Sequence, residues 1–224
     1  MTGFSLTASD PIALLSSSFF ITGAAGQRCM ALSTLVCVGK TEKWLDALVA
    51  HAQTFGVGAG WQDGVDLGPL ITPESKQRVH DILAQAVEQG AEILLDGRNV
   101  QVADYPNGNF VGPTIVRVSD TQNAAYVNEI FGPVLTVLTA DTLQDAIDLI
   151  NANPYGNGVA LFTSSGAAAR KFTAEIEAGQ GTFLSSSSSW RLVLETTETT
   201  SKSLTRFCLH SWYQHSHSRT LAFV

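Results

Sequence analysis

The chain reads as an α/β protein with a largely parallel sheet. Two observations predict this. From Leu35 to Thr163, short apolar runs rich in β-branched residues alternate with segments whose apolar residues recur at helical spacing. The 224 residues are also 45% hydrophobic and 15% charged, the composition of an ordinary globular chain long enough to bury a real core.

Each element has its own local signal. Pro11 to Gly26, with Ile12-Ala-Leu-Leu15 and Phe19-Phe-Ile21, reads as a core helix: it lacks the basic start of a signal peptide, is interrupted by serines and is shorter than a bilayer span. Leu35-Val-Cys-Val38 is a buried strand with Cys37 facing the core. Thr41 opens a helix with Trp44, Leu45, Leu48, Val49 and Ala52 on one face. Thr72-Pro73-Glu74 starts the next helix with an N-cap, a proline at the first helical position and an acid in the first turn; Val79, Ile82, Leu83 and Ala86 form its apolar face and Gly90 ends it. Ile93-Leu-Leu95 and Thr114 to Val118 are strands on either side of a polar loop around Asp104 to Asn109. Val134 to Leu138 and Val159 to Thr163 are further strands, separated by a helix bearing Leu143, Ala146, Ile147 and Ile150. A helix from about Gly166 to Ile176 closes the series. From Gly181 onward the pattern breaks. Ser185 to Ser189 are consecutive, threonines are frequent and no apolar period is sustained, which predicts a disordered or poorly packed segment.

A net charge of -7 without a Lys/Arg cluster argues against a nucleic-acid surface. Cys29, Cys37 and Cys208 are an odd number without metal-like spacing, so neither a disulfide framework nor a metal site is implied, and a reducing compartment is the simpler expectation. The five histidines have no Cys or acid at ligand spacing, and His51 and His80 are expected on helix surfaces.

The most informative stretch is Gly26-Gln-Arg-Cys-Met-Ala-Leu-Ser-Thr34. It sets one thiol beside a guanidinium, just after Gly23-Ala-Ala-Gly26, whose lack of bulk lets a ligand approach the backbone. A neighbouring cation favours thiolate, the nucleophilic form. A lone cysteine is otherwise a small buried hydrophobe.

This stretch resembles the nucleophile segment of aldehyde dehydrogenases. Within that superfamily it is most similar to the methylmalonate-semialdehyde dehydrogenase branch, which acylates coenzyme A. The resemblance continues through Asp66-Leu-Gly-Pro-Leu-Ile-Thr-Pro73, Asn109-Phe-Val-Gly-Pro-Thr114, Glu129-Ile-Phe-Gly-Pro-Val134 and Asn153-Pro-Tyr-Gly-Asn157, in the family's order, covering about Thr22 to Gln180. It implies a catalytic domain over residues 22–183, truncated at both ends, with a helical lead-in at 1–21 and an atypical, disordered tail at 184–224. The cofactor-binding half and an upstream oxyanion-holding asparagine lie outside this chain.

By the same resemblance, Cys29 attacks an aldehyde to form a thiohemiacetal, then a thioester that coenzyme A releases. Arg28 grips a substrate carboxylate, as expected for malonate and methylmalonate semialdehydes. Its alternative is a surface or ion-pairing arginine. Glu129 would hold the nicotinamide ribose hydroxyls of NAD and Phe131 would contact the ring; without the family, these two read as a solvated acid and a core residue. Pro113 and Asn153 to Gly156 read as turn formers. The family also implies homo-oligomers, although its C-terminal oligomerisation segment is not recognisable here, and, in eukaryotes, the mitochondrial matrix; the chain shows no Arg-rich, acid-poor presequence, and the cytoplasm is the alternative. Two other readings stay open: a non-catalytic family fragment, and an unrelated thiol hydrolase pairing Cys29 with a histidine.

Overall fold

A computed structural model gives the fold; it describes residues 24–29, 31–163, 165–179, 181–184 and 219–223. The expected helix over residues 1–21 lies outside these. The described end of the Pro11–Gly26 stretch is a turn and not a helix, with Ala24, Ala25 and Gly26 in succession at φ 50, 57 and 73°.

β1 (Leu32–Val38) is followed by a 3-10 segment (Gly39–Trp44) and then α1 (Leu45–Ala52). The helix expected to open at Thr41 begins as this tighter turn. The Thr41 hydroxyl donates back to the Val38 carbonyl at 3.0 Å, and neither helical segment has a side-chain N-cap. α2 (Pro73–Glu88) forms as its sequence dictates: Thr72 Oγ1 accepts from the Ser75 N–H at 3.1 Å, and Gly90 leaves the helix at φ 90°.

Next come β2 (Glu92–Leu95), β3 (Thr114–Arg117) and the single turn α3 (Ala124–Val127), which is capped by Asn123. β4 (Val134–Ala140) leads to α4 (Leu143–Ala152), where Thr142 and Asp145 form a reciprocal capping box. β5 (Gly158–Phe162), α5 (Gly166–Glu175), β6 (Gly181–Leu184) and β7 (Arg219–Phe223) complete the order.

The strands form one sheet in the order β2-β3-β4-β1-β7-β5-β6, parallel throughout except for β2 on β3. Two strands depart from the expectation of disorder after Gly181. β6 pairs with β5, and β7 lies between β1 and β5, parallel to both. Each is only four or five residues long, too short to show a period of its own; pairing with strands distant in sequence defines them. Residues 185–218 lie outside the described residues.

Alternation along the strands builds a three-layer core. Leu35 and Cys37 of β1, with Ile115, Leu135 and Val137, pack against Leu45, Leu48 and Ala52 of α1 on one face. Val36 and Val38 face the opposite layer with Ala146, Ile147 and Ile150 of α4 and Phe172 of α5. Val79, Ile82, Leu83 and Ala86 of α2 cover Val116, Val134 and Leu138.

Candidate active site

Because β1, β4 and β5 are parallel, the loops that enter them emerge at one edge of the sheet. Cys29 lies three residues before β1, Phe131 three residues before β4, and Asn157 directly before β5. The β1–β4 register pairs Thr34 with Thr136, an offset of 136 - 34 = 102. The loops that carry Cys29 and Phe131 thus enter neighbouring strands side by side. The site thus lies at the amino ends of the strands, opposite to the edge where open α/β sheets usually bind ligands.

The Cys29 turn is built from backbone conformations that side chains resist. Its three left-handed residues lead into Gln27, whose N–H donates to the Ala24 carbonyl at 3.2 Å; the Ala31 N–H closes a second turn on the Arg28 carbonyl at 2.9 Å. The Gln27 side chain ties this turn to the approach of α2. Its Nε2 donates to the carbonyls of Ala24 at 3.0 Å and Pro69 at 3.2 Å, and its Oε1 accepts from the Ile71 N–H at 2.8 Å. On the other side, Asn157 Nδ2 donates to the Cys29 carbonyl at 2.9 Å. Arg28 and Cys29 themselves are exposed.

The Glu129–Phe131 arm is held from α2. Arg78 donates to the Ile130 carbonyl at 2.6 Å and to the Glu129 carbonyl in a second contact. Phe131 follows at φ 55°, a left-handed conformation that costs a bulky residue about 1–3 kcal/mol and persists only where neighbours impose it. Glu129 and Phe131 are half-buried, whereas Ile130 between them is buried. The arm meets the nucleophile turn backbone to backbone: a Cβ on Gly26 would lie 1.9 Å from the Gly132 carbonyl oxygen, and one on Gly132 would lie 2.6 Å from Val79 Cγ2. Glycine at 26 lets the turn close on the arm, and glycine at 132 lets the arm close on α2.

Arg28, Cys29, Glu129 and Phe131 therefore share one edge. Sequence reasoning missed Gln27, Arg78 and Asn157. Gln27 and Asn157 look like any polar loop residue, and Arg78 sits on the polar face of an amphipathic helix, where it reads as a solvated charge. Their partners are 42 to 128 positions away, beyond the reach of any local pattern. Cys37 is buried as expected, 3% exposed, and burial pushes its thiol up to about 11. His80 departs from the expected helix surface. It is half-buried, burial and then the Lys76 charge hold its imidazole below the ordinary value, and its Nε2 has no hydrogen-bond partner among the described residues. A groove of about 420 Å³ runs beside α2 and Asn128, lined by Arg78 but not by Cys29, Glu129 or Phe131.

Comparison with known proteins gives one consistent answer. The aldehyde dehydrogenase family profile matches residues 12–188. The human mitochondrial methylmalonate-semialdehyde/malonate-semialdehyde dehydrogenase [acylating] is 56% identical over 158 residues, 70% of this chain and 30% of that protein. The Drosophila melanogaster protein of that name, given as probable, is 55% identical over the same shares. Among solved structures, methylmalonate-semialdehyde dehydrogenase from Oceanimonas doudoroffii superposes with a TM-score of 0.72 at 38% identity, over 77% of this chain and 36% of that one. Betaine aldehyde dehydrogenase of Staphylococcus aureus, in complex with NAD+, gives 0.70 at 26% identity, over 81% and 36%. The chain spans about a third of the length of these relatives.

Proposed function

The chain belongs to the aldehyde dehydrogenase family, and from that premise we propose that it carries the nucleophile side of an NAD-dependent oxidation of malonate or methylmalonate semialdehyde to an acyl-coenzyme A. The observation that carries this reading is the closure of the Cys29 turn on the Glu129–Phe131 arm through Gly26 and Gly132. That closure supports the reading because it brings together the two loops that carry Cys29, Glu129 and Phe131.

The residues fit the nicotinamide end of NAD. Glu129 offers a carboxylate that can accept from both ribose hydroxyls, and Phe131, held at φ 55°, offers a ring to set the nicotinamide's tilt. When bound, NAD supplies the hydride acceptor. The thiolate of Cys29 adds to the aldehyde carbon and forms a C–S bond while the carbonyl oxygen takes the electron pair; the Cys29 N–H is the donor this chain offers to that oxyanion. Loss of hydride from the same carbon leaves a thioester on Cys29. The thiol of coenzyme A then takes the acyl group, and the sulfur of Cys29 leaves as thiolate. Arg28 orients the substrate through its carboxylate.

Location in the mitochondrial matrix belongs to the same reading, supported by the mitochondrial location in the names of its relatives. Among the described residues, no helix is long and apolar enough to cross a membrane.

The test is NADH formation by the chain supplied with malonate semialdehyde, NAD and coenzyme A. Turnover abolished by Cys29→Ala, with KM raised at least about tenfold by Arg28→Ala, is the expected result. A chain that forms neither NADH nor an adduct on Cys29 would instead be a non-catalytic member of the family.

A further inference from the structure

Two side-chain amides clamp the nucleophile turn, and neither has a part in the proposed chemistry. Gln27 holds the residues before Cys29. Asn157 holds the peptide unit after it: its Nδ2 donates to the Cys29 carbonyl at 2.9 Å across 128 positions of sequence. The sheet fixes this donor in place. Asn157 is the last residue before β5, and its loop is tied at two further points: the Tyr155 N–H donates to Asn153 Oδ1 at 2.9 Å, and the Gly179 N–H donates to the Gly156 carbonyl at 2.7 Å. The acceptor lies just past the left-handed run from Ala24 to Gly26, in a turn that its own backbone does not favour.

We propose that Asn157 is a positioning residue for Cys29, fixing the peptide unit that comes after the nucleophile so that its carbonyl points to β5. The inference rests on Cys29 being the nucleophile. A carbonyl oxygen carries partial negative charge; released from Asn157, it is free to turn toward the sulfur and disfavour thiolate. Gln27 braces the opposite side, so the thiol stands on a turn gripped from two elements, β5 and the approach to α2.

The experiment compares iodoacetamide labelling of Cys29 in the full chain and its variants by peptide mass mapping, with buried Cys37 as an internal report on folding. Asn157→Leu removes the donor and keeps the branching at Cγ, and Asn157→Asp keeps the shape but puts an acceptor opposite an acceptor. At about pH 7, each is expected to slow Cys29 labelling roughly fivefold, on the order of one hydrogen bond, with Asp the slower. Near pH 9.5, above the ordinary range of a cysteine thiol, the difference should shrink to under about twofold. Cys37 should stay protected throughout.

Equal rates at both pH values, or an equal loss at both, would overturn the proposal. Exposure of Cys37 in both variants would also overturn it, since Asn157 would then hold the fold and not the turn. The wild-type rate alone reads on the nucleophile assignment, and the variant-to-wild-type ratio alone reads on Asn157, so the two can fail separately.

Discussion

Cys29 and Cys37 belong to the same short stretch of chain and meet opposite fates. Cys37 is inside β1, in the layer between the sheet and α1, where burial raises its thiol to about 11 against a lesser lowering effect from a hydrogen bond with Thr41. Cys29 stands just beyond the strand's amino end, exposed beside Arg28, on a turn clamped by Gln27 and Asn157. One thiol is packing material and the other is available to chemistry. The difference comes from their position relative to the strand: inside it the alternation of side chains decides, and beyond its end the surrounding loops decide.

The largest expected way to break this contrast is Gly26→Ala. The new methyl would sit 1.9 Å from the Gly132 carbonyl oxygen at a backbone φ of 73°. Loss of about 3 kcal/mol is expected, read as a fall in melting temperature on the order of 10 °C. Cys29 labelling in the folded variant should slow as the turn separates from the arm. An unchanged melting temperature would mean that the two segments do not meet as described.

Cys37→Ala sharpens the other half. The folded thiol sits at about 11 against an ordinary 9.0, so above pH 9 the unfolded chain loses its proton first. Stability from this group is complete below about pH 9 and is lost as pH rises toward 11, by roughly 2 kcal/mol on the scale of such shifts. Urea midpoints at pH 7 and about pH 10.5 should therefore fall more in the wild type than in Cys37→Ala. Parallel losses would place Cys37 in contact with water.

The smallest effect is a control at a pair with no contact to either thiol among the described hydrogen bonds. The Arg98 guanidinium donates to both oxygens of Asp96 at 2.6–3.1 Å, and chiefly through these hydrogen bonds holds that carboxyl below the usual range. The pair is partly exposed, so Arg98→Ala should cost about 0.5 kcal/mol at neutral pH. Because the folded carboxyl is depressed, this contribution is present above the ordinary carboxylate range and disappears as pH falls through the folded value. Cys29 labelling should not change.

Much of the fold was legible because its signals are local. Thr72 with Pro73 announces α2 within two residues, the spacing of Leu143, Ala146, Ile147 and Ile150 announces α4, and the apolar run Leu35 to Val38 assigns Cys37 to the core. β6 and β7 were not legible, since pairing with β5 and β1 supplies what their own few residues lack. The candidate site divides the same way. Cys29, Arg28, Glu129 and Phe131 were singled out by their motifs, and only the parallel register shows that two segments about a hundred residues apart share an edge. The clamps at Gln27, Arg78 and Asn157 are polar side chains bonded to distant backbone carbonyls and amides, contacts that leave no trace in residue type or spacing.

The measurement that tests the central claim most directly is the rate of iodoacetamide labelling at Cys29 and Cys37 in the wild-type chain, mapped by peptide mass across pH, with and without NAD. Rapid labelling of Cys29 near neutral pH, altered by NAD, is the predicted result, while Cys37 stays unlabelled until the protein unfolds or the pH approaches 11. Labelling of both thiols at similar rates, indifferent to NAD, would contradict it.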